Sequence, residues 1–183
     1  MPSSALPRLT LVLGGARSGK SIYAETLVES RPGPWVYLAT GTPGDAEMAA
    51  RIRAHQARRG DGWRTVEAPL DLAGALTAAA GADRTVLVDC LTLWLSNLIG
   101  ANRDLDAEAA ALVAALPGLS GPAVLVSNEV GLGIVPDNAA ARRFRDAAGR
   151  LHQAIGQVAQ SVVFVAAGLP LALKSPEAAE RAA

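Results

Sequence analysis

The sequence predicts an α/β three-layer domain with a mostly parallel central sheet, and three observations predict it. Short runs rich in Val and Leu recur at residues 9–13, 35–39, 85–89, 123–127 and 162–166. Each is nearly continuous rather than alternating in polarity, the pattern of strands buried on both faces of a parallel sheet. Helix-like segments lie between them at residues 20–29, 46–58, 70–79, 105–116 and 139–160, so strand and helix alternate. The third observation is a glycine-rich loop joining the first strand to the first helix.

That loop reads Gly14-Gly15-Ala16-Arg17-Ser18-Gly19-Lys20-Ser21. It fits G-x-x-x-x-G-K-[S/T] and lies between a predicted strand and a predicted helix, the context that gives the pattern meaning. Glycines permit a tight turn whose backbone N–H groups face phosphate oxygens. The helix beginning near Lys20 aims the positive end of its dipole at the same point. Lys20 is placed to reach the β- and γ-phosphates of a nucleotide, and Ser21 to offer a hydroxyl to Mg²⁺. Loop and alternation together predict a P-loop NTPase-type (RecA-like) fold. They indicate a nucleotide without saying which one, or what is done with it.

The segment at residues 46–58 carries His55. At helical spacing Met48 and Ile52 form an apolar face, while Arg51, His55 and Arg58 or Arg59 fall together on another. A histidine flanked by arginines suits chemistry on a polyphosphate: the arginines neutralise the phosphates, and their charge keeps the imidazole neutral and nucleophilic. On its residues alone, however, the segment reads as a solvated basic face. The run at 85–89 ends in Asp89. An acidic residue at the carboxyl end of a buried strand faces the crevice where α/β sheets bind ligands, and Asp89 is a candidate for Mg²⁺, directly or through water. The alternative is a strand-end Asp that caps the next helix. After the strand at 123–127 comes a Gly- and Pro-containing loop, Asn128-Glu129-Val130-Gly131 onward to Pro136. It reads equally as a border of the active crevice and as a structural turn. His152 lies in the last helical stretch with nothing distinctive beside it.

Composition bounds the rest. At 183 residues the chain suits one nucleotide-binding domain, with a polar, Ala-rich tail after Lys174 that is expected to fray. Half the residues are hydrophobic and 19% charged, as in soluble globular proteins. Lys+Arg and Asp+Glu are equal at 17 each, so no global positive field exists to hold nucleic acid or an anionic membrane. A single cysteine, Cys90, excludes an internal disulfide framework and a multi-cysteine zinc site. The apolar stretches at 85–99 and 161–173 are too short and too interrupted to span a membrane, and read as buried strands and short helices. Nothing at the N-terminus reads as an export signal, and a cytoplasmic location is expected.

The motifs taken in series resemble one family, the bifunctional adenosylcobinamide kinase/adenosylcobinamide-phosphate guanylyltransferases of cobalamin synthesis. The resemblance is carried by the phosphate loop followed by Ala24-Glu25, by Tyr37-Leu38-Ala39-Thr40-Gly41, and by Arg51-Ile52-Arg53-Ala54-His55 with Trp63-Arg64-Thr65-Val66-Glu67. It continues through Val88-Asp89-Cys90-Leu91-Thr92 with Asn97-Leu98. Its most distinctive piece is Ser127-Asn128-Glu129-Val130-Gly131-Leu132-Gly133-Ile134-Val135-Pro136, running on to Arg142 and Arg150. The series covers residues 9–174 in the family's order.

The resemblance implies two activities on one chain. The first phosphorylates the aminopropanol hydroxyl of adenosylcobinamide with ATP or GTP. The second transfers GMP from GTP to the resulting phosphate through a GMP–histidine intermediate at His55, giving adenosyl-GDP-cobinamide and pyrophosphate. It implies nucleotide contacts at Gly15–Ser21 of the loop, at Thr40, Gly41 and Thr42, at Gln56, Ala57, Arg58 and Arg59, and at Glu67 and Asp89. Mg²⁺ is expected on Ser21 and Asp89, and a homo-oligomer, a trimer, is expected. Two positions depart from the pattern: the family tends to have Glu where Asp89 stands, and Asn where His152 stands. Two other readings predict different chemistry. A kinase of another small alcohol transfers a γ-phosphoryl group but forms no covalent nucleotide. A non-enzymatic nucleotide switch binds and slowly hydrolyses nucleotide without an acceptor.

Overall fold

The computed structural model describes residues 6–42, 44, 46, 53, 57 and 59–175. Seven strands form one sheet: β1 (Leu9–Gly14), β2 (Trp35–Ala39), β3 (Trp63–Glu67), β4 (Thr85–Asp89), β5 (Ala123–Asn128), β6 (Ser161–Ala166) and β7 (Leu169–Lys174). The helices are α1 (Lys20–Glu29), α2 (Leu72–Ala79), α3 (Leu91–Gly100), α4 (Leu105–Ala115), a 3₁₀ turn (Leu116–Gly118) and α5 (Ala139–Val158). The strand order is β3-β2-β4-β5-β1-β6-β7. All neighbours are parallel except the β6–β7 pair. The helix segment expected at 46–58 falls almost wholly outside the described residues, and the tail expected to fray lies outside them beyond Ser175.

Both faces of the sheet are covered, as the continuous apolar runs require. On one face Leu11, Leu38, Val88 and Leu125 pack with Leu72, Trp94, Leu112 and Leu151 of α2 to α5. On the other, Val12, Leu87, Val124 and Val165 pack with Ala24 and Val28 of α1. Burying a side chain of this size completely contributes about 1.5–3 kcal/mol. Trp94 is fully buried, and its indole N–H is satisfied by the Leu70 carbonyl at 2.7 Å. Caps begin the helices that leave loops: the side chains of Asp71, Asp104 and Asn138 accept first-turn amides of α2, α4 and α5.

The five strands expected from the sequence are present, β1 and β5 one residue longer at their carboxyl ends and β6 one residue longer at its amino end. Two strands have no counterpart among the predicted runs, and one helix was expected only as part of the apolar stretch at 85–99. β3 is an edge strand whose exposed, mixed side chains carry no apolar run. α3 continues the apolar stretch after Asp89 and was hidden inside it. β7 turns back from β6 through Ala167 and Gly168, both at positive φ, which makes a tight antiparallel hairpin. The stretch at 161–173 was expected to be buried, yet β7 lies exposed at the sheet edge, with Leu169, Leu171 and Leu173 in solvent. No described helix is long and apolar enough to cross a membrane.

Candidate functional site

The carboxyl ends of the parallel strands converge on one edge of the sheet, where open α/β sheets bind ligands. Gly14 ends β1 and is paired with Asn128 at the end of β5. Asp89 ends β4, one strand further, and Ala39 of β2 pairs with both Asp89 and Glu67 of β3. β5 is therefore inserted between the strand of the phosphate loop and the strand of Asp89.

The phosphate loop is tightly constrained. Arg17 (φ 56°) and Gly19 (φ 94°) adopt left-handed backbone. A Cβ on Gly14 would stand 2.5 Å from both Ser18 Oγ and the Val165 carbonyl, so the strand end has room only for glycine. Gly19 leads into α1 and faces Gly168, whose Cα a Cβ would meet at 3.1 Å. The amide of Gly168 donates to the Ser18 carbonyl at 2.8 Å, so the β6–β7 hairpin braces the loop from behind. Lys20 is buried at the first position of α1 and donates to the Gly15 carbonyl at 3.0 Å, across the loop. Burial lowers its pKa, against the raising influence of Asp89 and Cys90. Ser18 Oγ is buried with no hydrogen-bond partner among the described residues. Ala16 and Arg17 are exposed and Ser21 is half-buried.

Asp89 does not cap α3; the cap position belongs to Cys90, whose side chain makes no capping bond. The turn after Asp89 is held by Thr40. Its hydroxyl accepts from the Cys90 amide and donates to the Cys90 carbonyl, each at 2.8 Å, and is completely buried. Asn97 Nδ2 in turn donates to the carbonyls of Thr40 (2.7 Å) and Pro69 (3.1 Å). Thr40, expected as a nucleotide contact, thus has its side chain committed to shaping the floor of the site. Gly41 and Thr42 follow it towards solvent, and Glu67 is exposed at the end of β3 beside a recess with Asp71 and Gly74.

Of the basic segment, His55, Gln56 and Arg58 lie outside the described residues, and Ala57 is exposed. Arg59 is described. Its guanidinium stacks 3.5 Å from the centre of the Tyr37 ring, on the α1 side of the sheet. Tyr37 meets Trp63 edge-on at 6.4 Å, and Trp63 packs on Trp35 at 5.6 Å. The phenol of Tyr37 is pushed far above its usual range, first by burial and then by the charge of Asp89, with Arg59 opposing. Arg59 Nη1 is buried and meets no hydrogen-bond partner among the described residues. A guanidinium fixed by stacking with a nitrogen to spare is suited to a phosphate oxygen.

A second cluster was not anticipated. His152, in a helical stretch whose sequence sets nothing distinctive beside it, is buried on α5. Its Nε2 lies 2.7 Å from Ser127 Oγ, and its Nδ1 lies 3.8 Å from Glu129 Oε2. Burial lowers the His152 pKa and Glu129 opposes the shift. Asn128 Nδ2 donates to Thr92 Oγ1 at 2.8 Å, and Thr92 Oγ1 lies 3.2 Å from the Cys90 thiol, which burial raises to about 11. The available signal was position: His152 shares the apolar face of Ala148, Leu151 and Ile155, where a polar ring needs a partner inside. Among the described residues no group of three or more His, Cys, Asp or Glu side chains is placed to hold a metal.

The fold is shared with solved structures at low sequence identity. An ATPase of a type III secretion system of pathogenic bacteria matches with a TM-score of 0.57 at 12% identity, over 90% of this chain and 56% of that one. A Pyrococcus horikoshii OT3 protein matches with a TM-score of 0.55 at 11% identity, over 92% and 86%. These likenesses bear out the P-loop NTPase-type fold. The sequence relatives are nearer. The chain is 51% identical over 166 residues to the bifunctional adenosylcobalamin biosynthesis protein CobP of Pseudomonas aeruginosa, covering 90% of this chain and 96% of that protein. It is 40% identical over 181 residues to the bifunctional adenosylcobalamin biosynthesis protein CobU of Salmonella typhimurium, covering 91% and 99%. The family described as cobinamide kinase / cobinamide phosphate guanyltransferase matches residues 10–173. With a phosphate loop closed by Lys20 and a match along nearly its whole length, the chain belongs to that family of bifunctional transferases.

Proposed function

We propose that the protein phosphorylates the aminopropanol hydroxyl of adenosylcobinamide with ATP or GTP. It then transfers GMP from GTP to the phosphate so formed, through a GMP–histidine intermediate at His55. The observation that carries this reading is the phosphate loop closed by Lys20 at the end of β1, with Asp89 at the end of β4 and the Arg59 guanidinium stacked on Tyr37 of the adjoining β2.

In the first step Gly14, Gly15, Ala16, Arg17, Ser18, Gly19, Lys20 and Ser21 cradle the triphosphate. Lys20 moves from the Gly15 carbonyl to the β- and γ-phosphate oxygens, where its charge offsets what develops on the leaving group. The half-buried Ser21 hydroxyl and the Asp89 carboxylate are hard oxygen donors, two protein ligands of the kind Mg²⁺ takes beside phosphate and water, so the residues present fit this ion. The ion when bound neutralises phosphate charge. In the second step His55 attacks the α-phosphorus and pyrophosphate leaves; the cobinamide phosphate then displaces His55. Thr40, Gly41, Thr42, Gln56, Ala57, Arg58, Arg59 and Glu67 surround the nucleotide, with Thr40 acting through the backbone it fixes. Family resemblance supports a trimer, read by sedimentation equilibrium.

The test uses Mg²⁺ with GTP labelled at the α- or the γ-phosphate. Acid-labile, base-stable label from α-labelled GTP alone, lost in His55→Asn and kept in His152→Asn, is expected. Absence of α-label on a protein that still binds GTP removes the guanylyl–histidine step and leaves a simple P-loop kinase.

A further inference from the structure

We propose that Glu129 takes the proton from the acceptor hydroxyl in the phosphoryl-transfer step, and that Ser127 and His152 hold its carboxylate in position. The inference rests on the kinase reading above. Its ground is a row of three side chains, Ser127, His152 and Glu129, that ends on the residue whose amide is bonded to Gly14 of the phosphate loop.

Glu129 is placed by the sheet. Its amide donates to the Gly14 carbonyl at 3.0 Å, extending the β1–β5 ladder by one bond, so the residue sits on the first glycine of the phosphate loop. Other carboxylates at strand ends are elsewhere or otherwise employed. Asp89 lies beyond β5 and is assigned to the metal, and Glu67 lies at the far edge of the sheet on β3. Glu129 is the acidic residue that directly follows β5, one of the two strands flanking β1.

Its orientation is built. Oε1 accepts the Gly131 amide at 2.5 Å, and Oε2 faces His152 Nδ1 at 3.8 Å. The opposite nitrogen of the ring lies 2.7 Å from Ser127 Oγ, which is fully buried on β5. Ser127 and His152 are thus locked in the core, with His152 8% exposed, while the Glu129 side chain is 23% exposed. A histidine is costly on the apolar face of α5 unless its ring nitrogens are used. Here one is used on β5 and the other is directed at the carboxylate.

The step balances simply. The acceptor oxygen forms a bond to the γ-phosphorus as the bond from that phosphorus to the β-bridging oxygen breaks, and the nucleoside diphosphate leaves. The hydroxyl proton passes to the Glu129 carboxylate and from there to water. His152 and Ser127 touch no reacting atom; they are positioning residues.

The test is steady-state phosphorylation of adenosylcobinamide by the full chain, with nucleotide affinity and thermal unfolding measured on the same samples. Glu129→Gln keeps the bond to Gly131 and is expected to lower kcat by about 100-fold or more, with ATP affinity and melting temperature retained. His152→Leu is expected to lower kcat by about 10-fold with little change in KM, and His152→Asn, whose amide can serve both neighbours, to restore most of it. A Glu129→Gln kcat within about threefold of the wild type overturns the proposal. So does a Glu129→Gln loss that tracks loss of ATP affinity, or equal activity in His152→Leu and His152→Asn. If the wild type itself phosphorylates no cobinamide, the kinase reading fails first, and that outcome is distinct from all of these.

Discussion

The hydroxyl of Thr40 both accepts from the amide and donates to the carbonyl of Cys90, fifty positions later in the chain, at 2.8 Å in each direction. One buried oxygen thereby fixes the backbone that carries Asp89 to the edge of the sheet. Thr40→Val preserves shape but leaves the Cys90 amide and carbonyl without that partner. The expected cost is about 1–3 kcal/mol of stability, read by urea unfolding, with weaker Mg²⁺-dependent nucleotide binding.

Lys20→Met removes the ammonium that closes the loop on Gly15. Lost charge-assisted bonds of about 1.5–3 kcal/mol correspond to a fall of about 10- to 100-fold in ATP and GTP affinity, measurable by isothermal titration. Because Lys20 is buried and its pKa lowered, its removal relieves a desolvation penalty, so the melting temperature of the free protein is expected to hold or rise.

Gly19→Ala places a Cβ at φ 94° and 3.1 Å from Gly168 Cα. The left-handed backbone alone costs about 1–2 kcal/mol. The variant is expected to lose stability by at least that much in denaturant, and to lose nucleotide binding in the same samples. Gly133→Ala, which meets open space, is the control expected to keep both.

His152 makes stability depend on pH. Burial depresses its folded pKa below the ordinary histidine value of 6.5, so the unfolded chain binds the proton more readily. Its contribution to stability is complete above pH 6.5 and is lost as pH falls through the lower folded value. Urea midpoints between pH 7.5 and 5.5 are expected to fall more steeply for the wild type than for His152→Asn, which does not titrate. Parallel curves for the two proteins refute it.

The fold was legible because its core strands are buried on both faces, and runs such as Val86–Val88 or Val124–Val126 admit few other readings. What escaped was decided by pairing rather than by composition. Trp63–Glu67 becomes a strand only because β2 offers it a free edge. β7 contains Pro170, which argues against a central strand and is tolerated at an edge. In the site, the phosphate loop was readable because its chemistry is local to eight residues. His152 was not, because its partners Ser127 and Glu129 come from a strand and loop more than twenty positions away. Thr40 shows the same limit: its hydroxyl is bonded to Cys90, a pairing that spacing cannot announce.

The brace between Gly168 and Ser18 joins the β6–β7 hairpin to the phosphate loop that follows β1. A nascent chain stalled ahead of residue 161 carries the entire nucleotide signature without β6, whose Val165 carbonyl walls Gly14, or the turn that holds Ser18. The shape of the phosphate loop is therefore a property of the assembled sheet, set by a hairpin remote in sequence, and not of the eight residues that spell its signature.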